Sequence, residues 1–369
     1  MKVALVHDHL NQFGGAERVL LNMQAIWPQS PVYTLVYDKD KLGQWFSQSN
    51  IKESFIARLP GGRSHFKWYL PLMPAAFESF NLDNYDVVVS SVSGLAKGVI
   101  VSPHALHICY CHTPTRYLWS DTHSYTEEIS QPKIIKKMLP LFLSNLRVWD
   151  FYSAQRVDKI IANSHFVARR IKKYYRRDAE VIYPPVDTKD LSIATDKIGD
   201  YFLIVSRLRP YKRVDLAIKA FNTLGLKLKI IGTGEEESRL RAMAKDNIEF
   251  LGSLSDKQRN YYYAHAQALI YPQEEDFGIT AVESMASGRP VIAYKSGGAV
   301  ESVIDGVTGV FFEEQTWECL ADAVARFRSS DFDPVSVREQ ALKFDTEVFR
   351  QKLKELVERE WQKFKQYNN

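Results

Sequence analysis

The chain has 369 residues, 45% of them hydrophobic and 25% charged, with a formal net charge of +4 at pH 7. That length suits two domains of ordinary size, and the composition excludes a disordered or low-complexity protein. Its three cysteines, Cys109, Cys111 and Cys319, form neither a disulfide framework nor a zinc site of usual spacing, and no apolar run approaches the roughly 20 residues needed to cross a bilayer.

The amino terminus enters a strand at once, Val3 to Val6, so no secretory leader is expected and a cytoplasmic location is. A loop with Gly14-Gly15 follows, then a helix with Ala16, Val19, Leu20, Met23 and Ile26 at helical spacing. Asp86–Ser90, His107–Tyr110 and Lys159–Asn163 read as buried strands. Continuous apolar strands separated by helices imply a parallel sheet covered on both faces. Between Pro132 and Arg177 twelve Lys or Arg face only Asp150 and Asp158, a net +10 that leaves about −6 for the rest. Ile134, Ile135, Met138, Leu139, Leu141, Phe142, Trp149 and Phe151 interleave with these charges. The pattern suits an anionic membrane surface better than nucleic acid, although helix packing would place the same apolar residues.

A proline-rich break, Tyr183-Pro184-Pro185-Val186-Asp187, suits a linker, and a second series of strands begins at Tyr201–Val205. Leu228–Gly232, Ile248–Gly252, Ala268–Tyr271 and Pro290–Tyr294 continue it, with a helix from Val214 to Phe221. The chain ends in a helix striped by Phe349, Leu353, Leu356, Val357, Trp361 and Phe364, capped by Asp345 or Thr346. The expected class is α/β, with two doubly wound Rossmann-like domains.

In open α/β sheets, ligands collect outside the carboxyl ends of strands, where the candidate residues fall. Glu275-Asp276-Phe277-Gly278-Ile279-Thr280-Ala281-Val282-Glu283 places two carboxylates around a glycine turn that opens a helix. Amides at such a helix start attract anions, and carboxylates accept hydrogen bonds from hydroxyls, so a ligand with both phosphate and sugar hydroxyls satisfies the set. Ser206-Arg207-Leu208-Arg209-Pro210-Tyr211-Lys212-Arg213 holds four cations after a strand; Arg207 and Lys212 would neutralise a departing diphosphate. Gly14-Gly15 could cradle phosphate, but the G-x-G-x-x-G fingerprint of nicotinamide dinucleotides is absent. His112 lies in Cys111-His112-Thr113-Pro114, where Pro114 holds Thr113 extended and stiffens the loop; His7 and His9 flank Asp8 as either structural or substrate groups. Gly297-Gly298-Ala299-Val300-Glu301 also opens a helix and could close over phosphate or sugar. The triplets Asp38-Lys39-Asp40 and Asp331-Phe332-Asp333 read as surface loops, and no metal site is expected.

Together these motifs resemble the retaining glycosyltransferase family 4, of the GT-B fold, over essentially the whole chain. The most specific likeness is the E-x7-E pattern of Glu275 and Glu283; Arg207 and Lys212 match the family's R-x4-K pair, and the stretch around His112 looks like a subgroup of mannosyltransferases of surface polysaccharide assembly. The resemblance implies two domains facing a cleft: an acceptor-binding domain over 1–185 with the helix 346–369 crossing back to it, and a donor-binding domain over 186–345. It implies that Glu275 contacts the donor hexose and Glu283 the ribose, Arg207 and Lys212 hold the diphosphate, and the Leu251 to Leu254 loop nears the base. His112, Glu275, Arg207 and Lys212 are then the catalytic set. Gly14, Gly15, Ser206, Leu251, Leu254, Phe277, Gly278, Ile279, Thr280 and Glu283 bind the donor. Where the family has glycine after the diphosphate lysine, this chain has Arg213.

The expected reaction is metal-independent hexosyl transfer with retention, needing no cofactor. GDP-mannose is the first donor to consider, the acceptor is a saccharide or lipid-linked saccharide, and the site of action is the inner face of the cell membrane. A sugar-nucleotide epimerase and a non-catalytic nucleotide-sugar binding module are the alternatives. Isomerisation without acceptor would mark the first; the four charged groups argue against the second.

Overall fold

The computed structural model describes residues 1–122 and 133–368, with backbone alone at 133–138 and 368. It divides into two compact units, Met1–Tyr183 with Phe349–Asn369, and Pro184–Val348.

Unit 1 holds seven strands: β1 Val3–His7, β2 Val32–Thr34, β3 Ile51–Glu53, β4 Val87–Val92, β5 Leu106–Cys111, β6 Lys159–Ala162 and β7 Glu180–Val181. They form a parallel sheet in the order β3-β2-β1-β4-β5-β6-β7. β1, β4 and β5 are buried along their whole length, as their unbroken apolar runs require. Alternate residues serve opposite faces. Ala4 and Val6 join a core with Phe66, Phe77, Leu143, Leu146 and Ile171. Val3 and Leu5 join Val19, Leu20, Met23 and the final helix.

That final helix, Thr346–Asn368, carries the stripe expected of it. Phe349, Leu353, Leu356 and Val357 are buried in the unit 1 core, each worth about 2 kcal/mol against exposure. Asp345 is its cap: Oδ1 accepts the Glu347 N–H at 2.9 Å.

The basic helix of unit 1 spans Lys133–Gln155. Pro132 and the side chains of Ile134, Ile135 and Met138, part of the expected amphipathic pattern, lie outside the described residues. Leu143 and Leu146 are buried, whereas Leu141, Val148 and Tyr152 face solvent at 70%, 55% and 62% exposure. The buried face bears out the helix-packing reading, and the opposite face leaves apolar side chains in solvent. Among the described residues no helix is long and apolar enough to cross a membrane.

Unit 2 repeats the design with β8 Tyr201–Val205, β9 Lys227–Ile231, β10 Ile248–Gly252, β11 Leu269–Tyr271, β12 Val291–Tyr294 and β13 Gly309–Phe312, in the parallel order β10-β9-β8-β11-β12-β13. The order reverses between β1 and β4 in unit 1 and between β8 and β11 in unit 2, creating a switch point in each. The proline-rich break is no free linker. Val186 is fully buried and its N–H donates to the Phe344 carbonyl at 3.0 Å. Both aspartate triplets supply helix caps: Asp38 accepts from the Lys41 N–H, and Asp333 from Val335 and Ser336.

Candidate active site

In unit 2, the loops after β8 and β11 flank the switch point. Lys212 Nζ, on the first loop, pairs with Glu275 Oε1 on the second, although 63 residues separate them. Their side chains are 16% and 18% exposed, so both charges stay partly hydrated. Arg207 is exposed on the Lys212 loop, with Ser206 half-buried beside it.

Gly278 then turns the chain at φ +96° and caps the helix Ile279–Ala286 with no side-chain hydrogen bond. A Cβ at Gly278 would stand 2.6 Å from the Tyr271 hydroxyl, so glycine answers both a left-handed backbone and a close approach. The opening amides of that helix, around Ile279 and Thr280, have no intrahelical acceptor and carry the positive end of the helix dipole. Phe277 is buried beneath them. One turn on, Glu283 is 4% exposed and accepts from the Tyr263 hydroxyl at 2.9 Å.

The Gly297-Gly298 segment packs behind this loop. The Gly298 N–H donates to the Glu275 carbonyl at 2.8 Å, and a Cβ at Gly297 would come within 2.3 Å of that same oxygen. Leu251, near the end of β10, and Leu254, just after it, are both half-buried at the same sheet edge. The Gly252 carbonyl between them accepts the Gly232 N–H at 2.8 Å, tying the loops after β9 and β10 together. Unit 2 therefore gathers Ser206, Arg207, Lys212, Leu251, Leu254, Glu275, Phe277, Gly278, Ile279, Thr280 and Glu283 at or beside its strand ends. Such an edge offers cations and amides to an anion, and carboxylates to hydroxyls.

Arg213 has φ +51°, the left-handed conformation that glycine adopts without cost. Its side chain reaches Asp215 Oδ1 at 3.3 Å and Gln315 Oε1 at 3.1 Å, and Gln315 Nε2 donates to the Pro272 carbonyl. The arginine thus links the two loops that carry Lys212 and Glu275.

Unit 1 places His112, Gly14 and Gly15 at the carboxyl edge of its own sheet. Gly14 precedes the helix Gly15–Ile26. His112, just after β5, is 8% exposed. Its Nε2 lies 2.9 Å from Ser91 Oγ, which lies 3.2 Å from His7 Nδ1, and His7 Nε2 stands 3.6 Å from Glu17 Oε1. Burial, helped by His7, pushes His112 down to about 4, so it is neutral at pH 7. Burial alone would raise Glu17, but hydrogen bonding and charge from His7 leave it lowered.

Ser91 Oγ bridges the two rings, and neutral His112 keeps one of its ring nitrogens as an acceptor. The sequence reading missed Ser91 and Glu17; only their burial in an apolar setting distinguishes them. Asp8 is structural: its two oxygens accept the N–H groups of Ser93, Gly94, Leu95 and Ala96 at 2.7–2.8 Å. His9 is lowered chiefly by burial and its ring sits 4.9 Å from Phe66.

Known proteins share this organisation. A model described as Glycosyltransferase Family 4 matches residues 13–190, and one described as Glycosyl transferases group 1 matches 188–344. The chain belongs to glycosyltransferase family 4. It is 24% identical to the alpha-1,3/1,6-mannosyltransferase ALG2 of Dictyostelium discoideum, covering 97% of this chain and 98% of that one. The human ALG2 is 27% identical over 92% of this chain and 88% of its own. The O-antigen chain mannosyltransferase RfbU of Salmonella typhimurium is 31% identical over 49% of this chain and 58% of RfbU. Among solved structures, Anabaena HepE in complex with UDP and glucose superposes with a TM-score of 0.73 at 20% identity, covering 97% and 99% of the two chains. That likeness shows the GT-B fold. This family 4 glycosyltransferase thus has the two Rossmann-like units expected from its sequence, and neither alternative activity is favoured.

Proposed function

We propose that this glycosyltransferase moves mannose, with retention of anomeric configuration, from a nucleotide diphosphate sugar to a saccharide or lipid-linked saccharide in cell-surface polysaccharide synthesis. The observation that carries the reading is the meeting of Lys212 with Glu275 at the unit 2 switch point. There a cation for a departing diphosphate adjoins a carboxylate for sugar hydroxyls. The mannosyltransferase names of ALG2 and RfbU support the hexose and make GDP-mannose the first donor to test.

In this reading unit 2 is the donor domain and unit 1 the acceptor domain. Glu275 holds hexose hydroxyls and Glu283 the ribose. Arg207, Lys212 and the amides from Gly278 to Thr280 take the diphosphate, and Ser206, Leu251 and Leu254 lie along the nucleotide. Departure of the diphosphate leaves an oxocarbenium-like sugar. Each preorganised cation that meets the charge developing on the leaving oxygen contributes about 3 kcal/mol to the transition state. Two such cations remove the need for a divalent metal or cofactor. The acceptor attacks the face from which the diphosphate leaves, and the leaving phosphate takes the acceptor proton. His112 and Gly14-Gly15 serve the same reaction from unit 1. The basic helix Lys133–Gln155 favours work against an anionic membrane, at its cytoplasmic face.

Incubation with GDP-, UDP- and ADP-sugars, with and without acceptor, tests the proposal. Acceptor-dependent release of GDP from GDP-mannose is expected, unaffected by EDTA, with an α-linked product by NMR. Isomerised nucleotide sugar formed without acceptor would refute it.

A further inference from the structure

Unit 1 contains a cavity of about 520 Å³ at the outer edge of its sheet, lined by residues that include Tyr33, Lys52, Arg58, Arg63 and Phe80. It is distinct from the strand ends that carry His112. Lys52 sits opposite Tyr33 in the register of β2 with β3, and its Nζ donates to the Tyr33 hydroxyl at 3.0 Å. The Tyr33 hydroxyl in turn lies 3.1 Å from that of Tyr85. This hydrogen bond raises Lys52, which stays charged at any physiological pH. Glu53 is the acidic residue in the lining, and it is already engaged. Arg63 grips both its oxygens at 3.1 and 2.6 Å, and the Tyr37 N–H adds a bond at 2.8 Å. Among the described residues no carboxylate pairs with Lys52 or Arg58, which leaves two cations over an aromatic wall.

The chain that borders the cavity is unusual in composition. From Ser54 to Phe77 it contains Arg58, Arg63, His65 and Lys67 and no Asp or Glu. The same stretch exposes Phe55 at 38%, Trp68 at 68% and Leu72 at 42%. Aromatic residues beside cations, with no acid among them, are what a headgroup layer attracts. The stretch adjoins the basic helix, because Glu78 accepts from Trp149 Nε1 at 2.8 Å and from Arg156 at 3.0 Å.

We propose that this cavity is a subsite for a phosphate group borne by a membrane lipid, with Lys52 and Arg58 on the phosphate oxygens and Trp68 and Leu72 entering the headgroup layer. The inference deepens the lipid-linked-acceptor reading by locating where the lipid's phosphate sits. A planar guanidinium and a hydrogen-bonded ammonium suit a phosphate monoester or diphosphate, which expose more non-bridging oxygens and more charge than the single phosphodiester of a headgroup.

Vesicle flotation of the full chain tests this without any transfer reaction, so its failure leaves the glycosyltransferase reading standing. Vesicles would be phosphatidylcholine alone, or with phosphatidic acid or phosphatidylglycerol matched in surface charge. The expected result is at least tenfold tighter binding to phosphatidic acid than to phosphatidylglycerol. Lys52→Ala with Arg58→Ala should erase that preference and weaken binding about 25-fold, near fivefold per cation. Trp68→Ala should weaken binding to both anionic vesicles while keeping the preference. Thermal unfolding checks each variant, and the exposed Arg58→Gln alone serves if the double variant fails to fold. Equal binding to both anionic lipids would overturn the proposal, as would a double variant that keeps its preference. Tight binding of inorganic phosphate together with no preference for phosphatidic acid vesicles would also overturn it, by pointing to a soluble ligand.

Discussion

The carboxyl edges of the two sheets share a topology and differ in the state of their polar groups. In unit 1, His7, Ser91 and His112 are 2%, 0% and 8% exposed, and burial keeps His112 neutral. In unit 2, Lys212 and Glu275 face each other partly hydrated, where opposite charges are tolerated. A buried network fixes ring orientation, and a neutral His112 can present one acceptor in one direction. A partly hydrated ion pair can open, each partner turning to a ligand group of opposite character. The same switch point therefore supports orientation in one unit and charge neutralisation in the other.

The strongest way to break this contrast is to remove the unit 2 charges. Glu275→Ala should lower kcat/KM by at least a hundredfold with thermal unfolding shifted by only a few degrees; near-normal turnover would deny Glu275 its role. Lys212→Ala and Arg207→Ala should each cost about a hundredfold, near 3 kcal/mol of transition-state stabilisation. In a double-mutant cycle their losses should be less than additive if both act on one diphosphate.

The contrast sharpens with pH. His112 and His107 are depressed to about 4 and about 3, each chiefly by burial. Between pH 6.5 and 4 the unfolded chain binds protons that the folded chain excludes, so stability must fall as pH drops through that window. The loss is about 3 kcal/mol for His112 alone. Urea unfolding from pH 4.5 to 8 should show that slope, and His112→Asn should flatten part of it; an unchanged slope would contradict the assignment.

Ser91→Ala should lower kcat by up to about tenfold, the worth of one neutral hydrogen bond, while leaving donor KM unchanged. Ser91→Thr should restore part of the rate. The smallest effect belongs to Arg213→Gly, where relief of a left-handed backbone offsets the lost bonds to Asp215 and Gln315. Its unfolding free energy should stay within about 1 kcal/mol of the parent.

Long buried runs were legible because they need only composition: β1, β4, β5 and β8 read directly as strands. β2, β3, β7 and β13, two to four residues long, were not read as strands. The Glu275 to Glu283 motif was legible as a local turn into a helix. That Lys212 meets Glu275 was not, since it follows from β8 lying beside β11, an order that no local pattern states. For the same reason His112 was visible next to Pro114, whereas Ser91 and Glu17 reach it across neighbouring elements. Arg213 stood out against the family's glycine, and the positive φ supplies the physical reason for that glycine.

The burial of Phe349, Leu353, Leu356 and Val357 against β1 and its neighbours makes unit 2 an insertion within unit 1. During synthesis the first unit to leave the ribosome is consequently the last to be completed, because its core waits for the tail. Residues 184–348 form one uninterrupted stretch, whereas clipping the tail strips an apolar face from the other unit.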